Sequence, residues 1–216
     1  MALKELDLEE QEKLDALKAW WKDNARLVVL AVLAAAIAVA GVSGWRWYQA
    51  RQASEAGRLY DALTKAARGG DAKALRDAGG ALAEQYPRTL YASMGALASA
   101  HFHFERGELP SAKAQLQWVI ERSPSPDFRD LARLRLAAVL LDENAPQEAL
   151  KVLEEKPQDA YVAQYDALRG DLLVALKRPE DARAAYRQAL DKADAPGGEG
   201  SAFRDSVQMR LDALGG

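Results

Sequence analysis

The chain has 216 residues, with 29 Lys and Arg against 32 Asp and Glu for a net charge of −3, no cysteine and two histidines. Disulfides and thiolate chemistry are therefore excluded, and no basic tract is concentrated enough to suggest nucleic-acid binding. His101 and His103 lie two positions apart, roughly 200° around a helix, so they cannot share a metal ion as an i, i+4 pair could. No metal or other cofactor is expected.

Residues 1–26 hold seven acidic and five basic side chains, with Leu3, Leu6, Leu14 and Leu17 at a loose helical period. Residues 1–16 read as disordered or as a short amphipathic helix. Leu27 to Trp45 then forms an uncharged run of nineteen residues, bracketed by Trp20 and Trp21 on one side and by Trp45, Trp47 and Tyr48 on the other. At 1.5 Å per helical residue the run is roughly 28 Å long, close to the ~30 Å hydrocarbon thickness of a bilayer. Indole and phenol rings favour the boundary between headgroups and acyl chains, so these five aromatics are the expected interface anchors of a membrane-spanning helix over 27–48. Nine Leu, Val or Ile contribute roughly −3 to −5 kcal/mol of insertion free energy.

Two other readings of the run are a cleaved signal peptide and a buried core helix. Ala38-Val39-Ala40 resembles a cleavage site, yet a signal peptide carries a short basic leader and this leader is acidic. Lys13, Lys18, Lys22 and Arg26 precede the run, whereas Arg46, Arg51 and Arg58 follow it, a small bias toward the short end inside.

Residues 49–216 read as successive helices, broken at Gly69-Gly70, Pro87, Gly107, Pro124 to Pro126, Asn144 to Pro146, Pro157, Lys177 to Pro179 and Pro196 to Gly198. No stretch alternates with period two, so strands are not expected. The breaks recur. An alanine near the start of each second helix is followed four residues later by a large apolar side chain: Ala112 with Leu116, Ala149 with Leu153, Ala182 with Tyr186. Ala74 heads the least regular case, with Ala78 in the bulky position. These alanines are 38, 37 and 33 residues apart, bracketing the 34 of a tetratricopeptide repeat. Arg133, Asp166 and Arg169 fall where such a repeat carries large apolar groups. A flexible joint at 195–200 precedes a last helix over 201–213, expected to cap the array because a terminal repeat has no neighbour to cover it. The expected fold is all-α: one transmembrane helix, then a tetratricopeptide-repeat-like right-handed α-solenoid of about four helix pairs and a C-terminal capping helix. An irregular helical bundle is the alternative.

Leu17-Lys18-Ala19-Trp20-Trp21-Lys22-Asp23-Asn24 ahead of the span, and Gly44-Trp45-Arg46-Trp47-Tyr48-Gln49 at its end, give the chain a resemblance to the YfgM family, the ancillary subunits of the bacterial SecYEG translocon. The resemblance implies a single-pass inner-membrane protein with a cytoplasmic tail over 1–26 and a periplasmic repeat domain over 49–216. It also implies association with the SecYEG channel and with PpiD, a membrane-anchored periplasmic chaperone, and assistance to unfolded or nascent clients. It brings no catalytic residues.

A stacked helix array offers a concave face to segments of other proteins. In this register the first helices present Leu59 and Leu63, then Met94, Leu97, His101 and Phe104, then Leu131, Leu134 and Leu141 as candidate groove residues, or else as core. A lining of Met, Leu and Phe adapts to varied apolar partners. The rival classes are an envelope hydrolase, for which neither paired acids in an apolar setting nor a serine elbow is present, and an envelope scaffold unrelated to the translocon or facing the cytoplasm.

Overall fold

A computed structural model describes the backbone of residues 2–193 and 200–215, and side chains from residue 12 onward. Among the described residues there are nine α-helices and no strand. They are α1 (Ala2–Gly69), α2 (Ala72–Gln85), α3 (Leu90–Glu105), α4 (Leu109–Arg122), α5 (Pro126–Asp142), α6 (Pro146–Val152), α7 (Val162–Ala175), α8 (Pro179–Ala193) and α9 (Ser201–Asp212), with a 3₁₀ turn at Asp159–Tyr161 before α7. The chain divides into two compact units, Met1–Arg51 and Gln52–Gly216. The joint expected over 195–200 lies, apart from Gly200, outside the described residues.

The first unit is helical from Ala2, and α1 runs without a break through the apolar run and on to Gly69. The helix is long and apolar enough to cross a membrane, and none of its most apolar stretch is buried in the protein. Leu27, Leu30, Val32, Leu33, Ile37 and Val39 are each at least half exposed. A core helix would bury such a stripe against a neighbour, so that reading fails.

The second unit repeats one local design four times. After α1, α3, α5 and α7 the chain turns through a left-handed residue: Gly70 (φ 70°), Gly107 (φ 70°), Asn144 (φ 60°) and Lys177 (φ 57°). In each case the next amide reaches back to a carbonyl five residues earlier, Asp71 to Ala66 at 3.0 Å, Glu108 to His103 at 2.9 Å, Ala145 to Leu140 at 2.8 Å and Arg178 to Leu173 at 2.9 Å. This closure satisfies carbonyls that a helix end leaves unpaired, and it aims the chain into the partner helix. Five residues past each left-handed position comes a fully buried side chain: Leu75, Ala112, Ala149 and Ala182. The intervals are 37, 37 and 33 residues.

The first repeat is therefore in register at Leu75, one residue beyond the Ala74 expected from sequence. Its small residue sits four further on, at Gly79, where an added Cβ would come within 3.5 Å of Leu63 and Ser99. Large and small have exchanged places, so the pattern of small then large conceals the true position. Elsewhere the small residues admit large partners as expected. In the fourth repeat a Cβ at Gly170 would lie 2.3 Å from the Tyr186 ring, which shows how closely the ring lies on the α7 backbone.

Among the described residues, three buried apolar clusters follow one another along the chain. Leu63, Leu75 and Leu82 centre the first, Leu97, Leu116, Leu136 and Tyr165 the second, and Leu173, Tyr186, Val207 and Leu211 the third. First helices also touch across repeats, α3 with α5 and α5 with α7, as a stacked solenoid requires. Helix α9 covers the last pair by burying Val207 and Leu211, and Arg210 bonds Asp171 of α7 at 2.7 Å.

The polar residues at expected apolar positions are paired. Buried Asp130 accepts from Arg133 at 3.0 Å and from the Gln158 amide at 2.8 Å, while Arg133 also engages Glu155. Arg169 donates to Asp166 at 2.8 Å and to the Leu153 carbonyl at the end of α6 at 3.2 Å. Burial pushes the Asp166 carboxyl up and Arg169 opposes it. Each pair ties a first helix to the segment leaving the preceding second helix or to the next loop, and no buried polar side-chain atom among the described residues lacks a partner.

Candidate functional site

Two adjoining apolar pockets form a groove along the first helices of the repeat unit. One, of about 330 Å³, is lined by Tyr60 of α1, Met94, Leu97, Ala98 and His101 of α3 and Arg135 of α5. The other, of about 230 Å³, is lined by Ala100, His101 and Phe104 of α3, Ala112 and Leu116 of α4, and Arg135, Ala138, Val139 and Asp142 of α5. His101 and Arg135 belong to both and mark the ridge between them. Small residues make the space, since Ala98, Ala100, Ala112 and Ala138 leave room where longer side chains would meet.

Of the nine residues expected to line a groove, Met94, Leu97, His101 and Phe104 do so. Leu63 is fully buried in the first cluster, and half-buried Leu59 packs against the same cluster. Leu131, Leu134 and Leu141 are partly buried against the central cluster. The groove stripe of α5 is instead Arg135, Ala138 and Asp142, one position further round the helix. The leucines lie on the core side because burying them removes apolar surface from water, which leaves the short and charged residues outward. An outward charge, small residue and charge at i, i+3 and i+7 was the signal in the sequence that could have located this stripe.

The groove holds no set of converging acids or nucleophiles. His101 pairs with Glu105 on its own helix at 3.2 Å. His103 is buried on another face, edge-on to Phe102, and its Nδ1–H donates to Glu108 at 2.6 Å. That bond, with a second from Arg106, holds the Glu108 carboxyl below the usual carboxylate range. Among the described residues no group of three His, Cys, Asp or Glu could hold a metal ion. What the groove offers is shape, apolar surface and two charged positions on α5.

In the first unit Trp20, Trp21, Trp45, Trp47 and Tyr48 are each at least half exposed. Trp45 and Tyr48 rest ring against ring at 6.1 Å, and the Arg51 guanidinium lies 5.8 Å above the Trp47 ring. Aromatics with a cation beyond them suit the boundary between acyl chains and charged headgroups.

The architecture has a counterpart among known families: the description of a tetratricopeptide repeat-like domain matches residues 18–216, starting ahead of the apolar run. The chain belongs to the tetratricopeptide repeat-like domain family. Within that family, this repeat protein is 28% identical over 211 residues to an ancillary SecYEG translocon subunit of Neisseria gonorrhoeae, covering 96% of this chain and 98% of the relative. It is 27% identical over 185 residues to a protein of the same name from Haemophilus influenzae, covering 84% and 89%. It is 24% identical over 208 residues to the one from Escherichia coli, covering 95% and 96%. No solved structure matches this repeat protein.

Proposed function

We propose that the protein is a membrane-tethered, non-catalytic interaction subunit of a SecYEG translocon in a bacterial inner membrane. Its N-terminal tail lies in the cytoplasm and its repeat domain in the periplasm. The observation that carries this reading is the end-to-end similarity to ancillary SecYEG translocon subunits, which takes in the tail, the span and the repeats together. A lone repeat domain would be shared with proteins of many roles; the joined set of parts is far more particular.

In this reading the span fixes the repeat domain beside the channel exit. Tethering raises the local concentration of the groove to the millimolar range, so a modest affinity for client segments suffices. The groove receives apolar segments of unfolded periplasmic and outer-membrane clients as they emerge, in concert with a PpiD-like periplasmic chaperone. Support comes from the pairing of an exposed apolar helix with an apolar, open groove on the repeat unit.

Replacing residues 27–48 with a span of equal length from an unrelated protein tests the address. Co-purification with the channel should fall at least tenfold while the protein stays in the membrane. Unchanged co-purification would move the contact to the repeat domain and remove the addressing role from the span. Alkaline phosphatase fused to the C-terminus should be active, because that reporter works only in the periplasm; an inactive fusion beside an active N-terminal one would establish the opposite topology.

A further inference from the structure

The two pockets of the groove share a charged ridge, whose Arg135 has the Tyr161 phenol within electrostatic reach but no direct partner among the described residues. Arg135 makes no hydrogen bond or ion pair among the described residues, although the other arginines of α5 do: Arg129 donates to the Ser123 carbonyl at 2.9 Å and Arg133 is held by Asp130 and Glu155. His101, the other ridge residue, is occupied by Glu105. At the far end of the second pocket the same contrast recurs. Glu143 is engaged by Lys113 at 2.5 Å, while its neighbour Asp142 has no such partner among the described residues. Arg135 and Asp142 are two helical turns apart, roughly 10.5 Å along α5.

We infer that the groove selects an extended polypeptide segment in which an acidic side chain lies between two apolar ones, the carboxylate meeting Arg135 and the apolar groups entering the two pockets. This inference rests on the groove being a binding site for client segments, as proposed above. In an extended segment alternate side chains share a face, about 6.6 Å apart, so an apolar, acidic, apolar set at i, i+2 and i+4 spans roughly 13 Å. Such a set places one apolar group on each side of the ridge. Volumes of about 330 and 230 Å³ accommodate large apolar side chains. Asp142 closes the second pocket with a negative charge, so a second acidic residue beyond the set is disfavoured and a basic one is matched. Arg135 is exposed and borders the apolar lining of both pockets, so a carboxylate that reaches it forms a charge-assisted, planar pair beside the two apolar sites.

The full-length protein in nanodiscs, titrated by fluorescence anisotropy with labelled peptides Gly-Phe-Ser-Asp-Ser-Phe-Gly, and the same peptide with Asn or Lys in place of the central Asp, tests this. The acidic peptide should bind about tenfold more tightly than the Lys peptide, with Asn between them. Arg135→Glu should reverse that order and leave the Asn peptide within about twofold of its original affinity. Equal binding of all three peptides to the native protein would overturn the selectivity and leave the groove reading intact. No binding of any peptide, or binding unaffected by Phe104→Ser, would overturn the groove reading and this inference with it. Circular dichroism of both variants must match the native protein, and Arg135→Gln, which removes the charge without reversing it, should abolish the preference instead of inverting it.

Discussion

At the scale of single residues, glycine positions separate two opposite outcomes of one substitution. Gly80 lies within α2 with open space where a Cβ would go, so Gly80→Ala should raise the stability of the repeat unit by about 0.5–1 kcal/mol through lower chain entropy and better helix propensity. Gly170 is also helical, but its Cβ would collide with Tyr186, and Gly170→Ala should cost about 2 kcal/mol because the ring and its bond to Asp171 must shift. Urea denaturation of the two variants in detergent, followed by circular dichroism, reads both signs; two stabilising results would mean that Tyr186 does not pack on α7. The Glu108 carboxylate makes a pH prediction. Its folded-state pKa is lowered chiefly by the His103 bond and then by that of Arg106, so the stability it lends is complete above its ordinary value near 4.5 and is lost as pH falls through the lower folded value. In Glu108→Gln the urea midpoint should lie below that of the native protein at pH 6, and the two should converge as pH drops below about 4.5.

At the scale of elements, the breaks between helices were legible in the sequence because Gly and Pro punctuate a chain strongly, and Gly107, Pro124, Pro146 and Pro179 all fall at helix boundaries. The register of the first repeat was not legible. Leu75 and Gly79 carry the large and small roles in reversed order, and only tertiary packing shows that the pair still fills one space. Nor does Lys177 advertise itself as a left-handed residue, since its side chain pays a steric cost that Gly107 avoids at the equivalent turn. Lys177→Gly should therefore stabilise by roughly 0.5–1 kcal/mol, whereas Gly107→Ala should destabilise by a similar amount, both measurable by thermal unfolding. On α5 the repeat register leaves Leu131, Leu134 and Leu141 open to groove or core, and they pack, partly buried, against the central cluster. The Asp130 knot fastens α5 to the loop before α7. Asp130→Ala should cost about 3–5 kcal/mol, because the Arg133 charge and the Gln158 amide lose their buried acceptor. Adding Arg133→Ala should cost less than the sum of the two single changes, and strict additivity would show that the pair acts independently.

At the scale of the whole molecule, one chain joins an apolar helix with no buried face to a repeat unit with an open apolar groove. Both parts were legible from the sequence, since length, the uncharged run and the paired tryptophans identify the first, and recurring breaks identify the second. The exact lining was not, because helical period alone leaves the core face and the groove face of α5 only one position apart. The groove sits on α3 and α5, which contact one another, and its two pockets follow one another along these helices, with Tyr60 of α1 bordering one of them. The central claim is that this groove receives client segments at the translocon. A photoreactive amino acid placed at Phe104 in the full-length protein, in cells secreting a periplasmic client arrested in the channel, tests it most directly. A crosslink from Phe104 to the arrested client is predicted, with none from the same probe at Met209, an exposed residue of α9 outside the groove. Equal client crosslinking from both positions, or none from Phe104 while the channel itself is captured, would contradict it.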